Sequence, residues 1–270
     1  MVKLSALVCV ENDAPSLPGC LKGLGFCDEV VLVADRATPR VQEIARRYGA
    51  RLVAGIFPLD GQRRAAGAEA CAGDWILEVE ADETVDSALA WEIRASLQMR
   101  PRGDWFDVPV ANHVGGRFVQ RGWGGPLGPA RSARLYRRGA KRWSPRRLDS
   151  GVLSGAPAGA LKGALRRDVA ADTGGLVDRL NRLAALAAED QVEAGRTLGV
   201  GSGLATGLGE FARSYLLARG WREGRTGLLL ALLNGLHPVL AASRARDAVE
   251  DGRPSHAPQP LPPVLKLGAG

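Results

Sequence analysis

The sequence predicts an α/β fold in which a mixed, mainly parallel sheet is flanked by helices and followed by a C-terminal helical extension. Two observations lead to this prediction. Short apolar runs without polar alternation, typical of strands covered on both faces, recur about every 15–20 residues between stretches of helical periodicity. Longer helical patterns then dominate the C-terminal part. The 270 residues, 46% of them hydrophobic, are enough for a sizeable core.

The strands and helices can be placed in order along the chain. Apolar runs predict strands at residues 4–10, 29–34, 51–56, 75–79, 105–111 and 134–136. Apolar residues at helical spacing predict helices after Pro15, over residues 38–50, 62–72 and 87–98, and over residues 176–195. The early alternation of the two patterns indicates βαβ units and therefore parallel strands.

The sequence of the C-terminal part predicts a helical region with an affinity for membranes. The apolar run from Gly227 to Ala242 has 16 residues, whereas a spanning helix needs about 20. Arginines flank this run on both sides, which suits helices lying on an anionic membrane, although a buried helical hairpin explains the pattern equally well. We therefore expect three parts: 1–160 with the sheet, 161–250 with the helices, and a disordered Pro-rich tail at 251–270.

Charge and cysteines limit the possible partners. The net charge is +7, and residues 101–147 hold many basic residues but only two acids, Asp104 and Asp107. Such a stretch attracts phosphate groups, although a solvated basic face gives the same composition. The four cysteines form no CxxC pair, and the N-terminus lacks the apolar segment of a signal peptide. We expect reduced thiols and a cytoplasmic location.

The stretch WILEVEADE, from Trp75 to Glu83, contains the main candidate site. Glu80 and Asp82 follow a predicted buried strand, and ligands of open α/β sheets bind where such strands end. Two carboxylates separated by one residue can hold Mg²⁺ or Mn²⁺ together with the phosphates of a nucleotide. The metal would neutralise the charge that develops on a leaving diphosphate.

The chain around this motif resembles the inverting glycosyltransferases of family 2, which have the GT-A fold, and within them the lipopolysaccharide-core glucosyltransferase-like branch. The resemblance extends over about residues 3 to 245 and is carried by separate matches: Glu11-Asn12-Asp13, Cys20-Leu21, Ala34 to Thr38, Glu43-Ile44-Ala45, Tyr48-Gly49-Ala50, Gly61-Gln62-Arg63, Gly73 to Leu77, Arg134 to Gly139 and Phe211 to Leu229.

The resemblance implies roles for particular residues. Those implied for the nucleotide are Val10, Glu11, Asp35, Gln62, Arg63 and Glu80, and those implied for a divalent metal are Glu80 and Asp82. Asp149 is the candidate base that takes the proton of the acceptor hydroxyl. Trp123 and Arg134 are expected to contact the acceptor or the phosphates, with an indole ring for stacking on a sugar and a guanidinium for phosphate oxygens.

Three departures from the family pattern keep other interpretations open. Glu80 replaces the usual first Asp of the metal motif, Ala34 replaces an Asp, and Asp149-Ser150 replaces His-Glu. These changes also suit a non-catalytic relative that serves as a binding or scaffolding subunit. A nucleotidyltransferase shares the alternating pattern, but the first strand is not followed by a Gly-rich phosphate loop.

We therefore expect a glycosyltransferase that is cytoplasmic and peripheral on the inner face of the cytoplasmic membrane. Its donor would be a nucleotide-diphosphate sugar, with UDP-sugars first, and its acceptor lipid-linked or of the lipopolysaccharide type. Nucleic acid is not an expected partner, because no recognition motif accompanies the basic charge.

Overall fold

A computed structural model describes residues 2–10, 15–144, 147, 151–195, 199–251 and 265–267. Contacts divide the chain into two compact units. Unit 1 consists of Met1–Val110, Arg131–Arg167 and Pro260–Gly270. Unit 2 consists of Ala111–Ala130 and Asp168–Gln259, so residues 111–130 are grouped with the C-terminal helices. The division at residues 160 and 250 expected from the sequence stays a prediction.

The strands and helices of the described residues have the following bounds. The strands are β1 (Leu4–Val10), β2 (Glu29–Ala34), β3 (Arg51–Ala54), β4 (Trp75–Glu80), β5 (Glu83–Thr84), β6 (Trp105–Val114), β7 (Arg117–Phe118), β8 (Arg131–Arg137), β9 (Lys141–Arg142), β10 (Val152–Leu153), β11 (Pro157–Ala160), β12 (Leu165–Ala170) and β13 (Leu265–Leu267). The α-helices are α1 (Leu17–Lys22), α2 (Pro39–Arg47), α3 (Asp60–Ala70), α4 (Ser87–Gln98), α5 (Thr173–Glu193), α6 (Val200–Ala212) and α7 (Gly224–Glu250).

The sheet of unit 1 is parallel in its first half and antiparallel beyond it. Strands β3, β2, β1 and β4 are parallel neighbours in that order, and β8 and then β6 continue the sheet antiparallel. Cys9 lies opposite Glu80, and Val10 lies opposite Ala34. The carboxyl ends of β1, β2 and β4 therefore meet at one edge, where ligands of open α/β sheets bind.

Both faces of this sheet are covered, which explains why β1 is apolar without alternation. Successive strand residues point to opposite faces. Accordingly, Val8 and Val10 belong to one buried cluster together with Leu89 and Ile93 of α4. Leu7 and Cys9 belong to a second cluster.

Local signals set the start of several helices. The Thr38 side chain accepts a hydrogen bond from Val41 N at 3.2 Å, and Pro39 opens α2. The Asp86 side chain caps α4 by accepting from Leu89 N at 2.8 Å. Helix α3 begins at Asp60, two residues earlier than the periodicity predicts, which brings an acidic side chain into its first turn.

Unit 2 is built mainly from α5, α6 and α7, and α7 packs against both other helices. Leu176 and Leu180 of α5 and Leu230 of α7 belong to one buried apolar cluster. Asp172 caps α5 by accepting from Gly175 N at 2.9 Å. Helices α6 and α7 approach each other closely at Gly207, where a Cβ would lie 2.2 Å from Gly235 O.

Helix α7 and the turn before it, Gly220–Glu250, form one stretch that is long and apolar enough to cross a membrane. This is weak evidence, because core helices of soluble proteins have the same length and composition. The mixed, mainly parallel sheet, its flanking helices and the C-terminal helical region confirm the fold class predicted from the sequence.

Candidate active site

Charged side chains collect at the edge of unit 1 where β1, β2 and β4 end. Val10 closes β1, Asp35 follows β2, and Glu80 is the last residue of β4. Helix α3 begins beside them, and its first turn contains Asp60, Arg63 and Arg64.

The first turn of α3 connects the ends of two strands through its arginines. Arg63 Nη1 donates to Asp35 Oδ2 at 3.1 Å, and Arg63 Nη2 donates to Asp60 Oδ1. Arg64 Nε donates to Asp60 Oδ2 at 2.6 Å, and Arg64 Nη2 donates to Glu80 Oε1 at 2.9 Å. Asp60 thereby holds both guanidinium groups in place, one toward the end of β2 and the other toward the end of β4.

Glu78 is a buried carboxylate beneath the other charged side chains of the site, with 2% of its surface exposed. It accepts hydrogen bonds from Lys141 Nζ at 2.6 Å, from Tyr136 Oη at 3.2 Å and from Arg64 Nη1. Burial alone would raise the pKa of this carboxyl, but the positive charges of Lys141, Arg64 and Arg134 outweigh burial and lower the pKa to about 2. Glu78 is therefore a fixed negative charge.

Glu80 lies two residues after Glu78 in β4, so the two side chains point to the same face of the sheet. Its Oε1 accepts from Arg64 Nη2 at 2.9 Å and from Arg134 Nη1 at 3.0 Å. Burial opposes ionisation here too, but Arg64, Arg134 and Arg167 hold the pKa of Glu80 well below its usual range. The side chain is 20% exposed, against 7% for Arg134 and 12% for Arg64. Glu80 is thus the outermost of the three.

Glu83 and Asp82 complete the cluster. Arg134 Nη2 donates to Glu83 Oε1 at 3.2 Å, and Glu80 N donates to Glu83 Oε2 at 2.9 Å. Arg167 Nε donates to Asp82 Oδ2 at 3.2 Å. Glu83 is fully buried, and burial raises its pKa despite Arg134 and Arg167.

The donor set does not fit a divalent cation. The four carboxylates, Glu78, Glu80, Asp82 and Glu83, are matched by four cations, Lys141, Arg64, Arg134 and Arg167. Within the described part of the chain, no group of three or more His, Cys, Asp or Glu residues is placed to hold a metal ion. Mg²⁺ or Mn²⁺ binding, which the resemblance implies, stays a prediction.

The remaining predicted residues are distributed as follows. Gln62 lies in the first turn of α3, and its buried Oε1 has no hydrogen-bond donor among the described residues. Glu11 and Asp149 lie outside the described residues. Trp123 belongs to unit 2, where it is 7% exposed, packs in the apolar cluster and donates its indole N–H to Val119 O at 2.6 Å. That placement serves packing, and the sugar-stacking role stays a prediction.

Sequence reasoning missed Glu78, Arg64, Glu83, Lys141 and Arg167 as members of the cluster. One signal in the sequence points to such partners. Glu78 and Glu80 stand two residues apart in an otherwise apolar strand, and buried carboxylates require cations or hydrogen-bond donors. The sequence does not say which of the many arginines meet them.

Chemically, this edge of unit 1 can bind an anion with phosphate oxygens. The planar guanidinium group suits phosphate geometry. Arg134 Nε is buried and has no acceptor in the described part of the chain. The side-chain carbonyl of Gln62, in the first turn of α3, is a buried acceptor for a hydrogen-bond donor of a ligand.

Comparison with curated proteins identifies glycosyltransferases. An uncharacterized glycosyltransferase of Rickettsia felis is 29% identical over 96 residues, which are 34% of this chain and 33% of that protein. The chain thus spans about a third of the length of the first curated relatives it matches. The lipopolysaccharide core biosynthesis glycosyltransferase LpsC of Rhizobium meliloti is 27% identical over 256 residues, 89% of this chain and 91% of that protein.

No family model matches the chain. Among solved structures, S. aureus TarS 1-349 in complex with UDP-GlcNAc aligns over 93% of this chain and 92% of that chain, with 13% identity and a TM-score of 0.47. The chain is a relative of curated glycosyltransferases, which confirms the resemblance found in the sequence motifs.

Proposed function

We propose that this protein is a glycosyltransferase that moves a sugar from a nucleotide-diphosphate sugar to a lipid-linked or lipopolysaccharide-type acceptor, with inversion at the anomeric carbon. One observation carries the proposal. The strand ends where α/β folds bind ligands hold a cluster of arginines and carboxylates, in a chain that is similar to a lipopolysaccharide core glycosyltransferase over 89% of its length. UDP-sugars are the first donors to test.

The nucleoside would bind at the ends of β1 and β2. Asp35, positioned by its ion pair with Arg63, can accept a hydrogen bond from a ribose hydroxyl. Gln62 Oε1, a buried acceptor without a donor in the described residues, suits an N–H of the base. Val10 would supply apolar contact.

The diphosphate would bind beside Glu80, where Arg64 and Arg134 converge. In the reaction the acceptor hydroxyl oxygen bonds to the anomeric carbon, the bond from that carbon to the phosphate oxygen breaks, and the nucleoside diphosphate leaves. The hydroxyl proton goes to a general base. Asp149 is the candidate base from the resemblance, and it lies outside the described residues. Guanidinium groups near the phosphates stabilise the charge of the leaving group.

A membrane surface is the proposed setting of the acceptor. In unit 2, α6 exposes Leu204 and Leu208, and α7 exposes a stripe at i, i+4 and i+8: Leu228, Leu232 and Leu236. Arginines accompany these apolar residues at positions 213, 219, 222 and 225. Exposed apolar area next to basic residues suits the surface of an anionic bilayer. The four free thiols suit the reducing cytoplasm, so we propose the inner face of the cytoplasmic membrane.

The test is a screen of nucleotide sugars against the full chain by thermal unfolding, followed by an assay for release of free nucleotide. A donor at one hundred times its dissociation constant stabilises the folded state by about 2.7 kcal/mol. The proposal predicts stabilisation by one class of nucleotide-diphosphate sugar and nucleotide release when a lipid-linked saccharide acceptor is added. If no nucleotide sugar changes the unfolding temperature, the proposal is wrong.

A second candidate is a relative that binds the donor without transferring the sugar. Glu80, Ala34 and Asp149-Ser150 depart from the family pattern, and Glu80 is already paired with two arginines. This candidate predicts the same thermal stabilisation but no nucleotide release with any acceptor, so the second step of the test separates the two.

A further inference from the structure

We propose that Arg64 and Arg134 take the place of a divalent metal in this protein: the donor diphosphate binds to their guanidinium groups by displacing the Glu80 carboxylate, without Mg²⁺ or Mn²⁺. The inference rests on the proposed function, because it assumes a nucleotide-diphosphate ligand. It assigns Glu80 a role as an internal anion that occupies the arginines when no ligand is bound.

The ion pairs of Glu80 favour arginines over a metal at this place. Arg64 Nη2 and Arg134 Nη1 reach the same oxygen, Oε1, at 2.9 and 3.0 Å. A divalent cation requires its own oxygen ligands at about 2.0–2.6 Å. The carboxylate that the sequence motif offers to a metal is therefore already bound by two cations that belong to the chain.

The charge balance of the motif also disfavours a metal. Asp82, the other acid of the motif, pairs with Arg167, and Glu83 pairs with Arg134. A metal at this place would lie among three guanidinium groups and would be repelled by them. Metal sites in proteins place carboxylates together without matching cations, and here each carboxylate of the motif has one.

Other carboxylates hold the two arginines in place independently of Glu80. Glu78 and Asp60 bind Arg64 through Nη1 and Nε, and Glu83 binds Arg134 through Nη2. Both guanidinium groups keep these partners when Glu80 leaves. Arg134 Nε is buried and without an acceptor in the described residues, so this side chain has an N–H available for a phosphate oxygen.

The exposure of Glu80 allows this side chain to move when a ligand binds. It is the most exposed of the three side chains and the last residue of β4, so it can turn away from the arginines more easily than either can move. A diphosphate brings more negative charge than one carboxylate and more acceptor oxygens. We therefore expect the diphosphate to displace Glu80 from both guanidinium groups, because the planar arrangement of their N–H donors matches phosphate oxygens.

Calorimetric titration of the full chain with UDP, in EDTA and separately in Mn²⁺, tests the proposal. We expect the dissociation constant for UDP to agree within about twofold between the two conditions. Glu80→Gln, which keeps the length and one oxygen, should tighten UDP binding about fivefold or more in EDTA, because a competing and repelling charge is removed. Arg64→Gln should weaken UDP binding about tenfold or more, with no recovery in Mn²⁺.

Uridine and an exposed arginine provide the controls. Uridine lacks phosphates, so its affinity should be the same in the wild-type protein and in Glu80→Gln. Arg40, exposed on α2, replaced by Gln should leave UDP binding unchanged. Thermal unfolding of each variant checks folding, and if Arg64→Gln does not fold, the opposite predictions for Glu80→Gln still decide.

Three results would overturn the inference. UDP binding that requires Mn²⁺, or that is lost in Glu80→Gln, would make Glu80 a metal ligand and leave the proposed function intact. Equal loss of uridine and UDP in Arg64→Gln would show that Arg64 has only a structural role. Absence of UDP binding in both conditions would overturn this inference and the proposed UDP donor together.

Discussion

The two units differ in whether they bury charged side chains. Among the described residues, unit 1 buries six charged side chains, Arg63, Glu78, Glu83, Arg134, Lys141 and Arg167, whereas the buried polar residues of unit 2 are the uncharged Asn112, Ser214 and Asn234. Unit 2 instead exposes apolar side chains to solvent: of the fifteen large hydrophobic residues exposed in the described part of the chain, eleven belong to it.

This difference agrees with the partners proposed for the two units, a nucleotide sugar for unit 1 and a membrane surface for unit 2. Burying charge is costly unless every ion is paired, and replacing a buried ion pair by apolar residues is often neutral or stabilising. A cluster of eight charges at the strand ends of unit 1 is therefore explained better by ligand binding than by stability. Exposed leucines likewise add nothing to folding but suit a membrane surface.

The largest expected effect comes from breaking the charge cluster of unit 1. Arg134→Met removes the arginine that forms an ion pair with the fully buried Glu83, and it also removes one partner of Glu80. We expect a loss of about 3–5 kcal/mol in the free energy of unfolding, measured by urea denaturation. Arg40→Met, on the exposed surface of α2, is the control and should change stability by less than about 0.5 kcal/mol. Equal effects of the two variants would contradict the role of the cluster.

The same cluster predicts a dependence on pH. The pKa of Glu78 is lowered from 4.5 to about 2 in the folded state by Lys141, Arg64 and Arg134, which outweigh burial. Its contribution is therefore present above about pH 4.5 and is lost as the pH falls toward 2, with a total of about 3 kcal/mol. The raised pKa of Glu83 acts in the opposite direction. Urea midpoints between pH 7 and pH 2.5 should show a shallower acid slope for Glu78→Gln than for the wild-type protein, and parallel slopes would contradict this account.

In unit 2 we expect stability to be sensitive to substitutions where α6 and α7 pack closely. A methyl group at Gly207 would meet Gly235 O at 2.2 Å, whereas Gly209, two residues later on α6, has nothing within 4 Å. Gly207→Ala should lose about 1–3 kcal/mol through overpacking. Gly209→Ala should gain up to about 1 kcal/mol through helix propensity. Thermal and urea unfolding of the pair measure the difference, and a stabilising Gly207→Ala would rule out the close contact.

The smallest effect on stability is expected at the exposed leucines. Replacing Leu232 and Leu236 together by Gln should change the free energy of unfolding by less than about 0.5 kcal/mol per residue, since helix propensity is similar. Binding to vesicles that contain anionic lipid should fall about tenfold or more in a sedimentation assay. Met99→Gln, at an exposed apolar position of unit 1, is the matched control and should bind as the wild type does. If the double variant also binds vesicles as tightly, unit 2 does not use this surface.

The sequence predicted unit 1 in more detail than its site. Strands β1, β2 and β4 lie within one residue of their predicted bounds, because an apolar run and its flanking turn residues depend only on local sequence. The motif at Glu80 was found for the same reason. Its ion pairs were not, because Arg64 and Arg134 lie 16 and 54 residues from Glu80 in the chain, and Arg167 lies 85 residues from Asp82.

Unit 2 was predicted less completely. The periodicity of α5 was evident, but the placement of residues 111–130 with the helices depends on long-range contacts, such as the bond from Gly122 N to Ala218 O at 3.1 Å. The burial of Trp123 depends on apolar neighbours from α5 and α7 that no local pattern reveals. Its expected contact with a sugar stays a prediction.

Hydrogen–deuterium exchange with and without saturating UDP tests the central claim most directly, since it locates the ligand on the chain. The account predicts slower exchange in peptides that cover residues 60–66, 78–84 and 131–137, with no change in residues 224–250 of α7. Protection confined to α7, or exchange that is unaffected in the peptides of residues 60–66, 78–84 and 131–137 while UDP is bound, would contradict a donor site in unit 1.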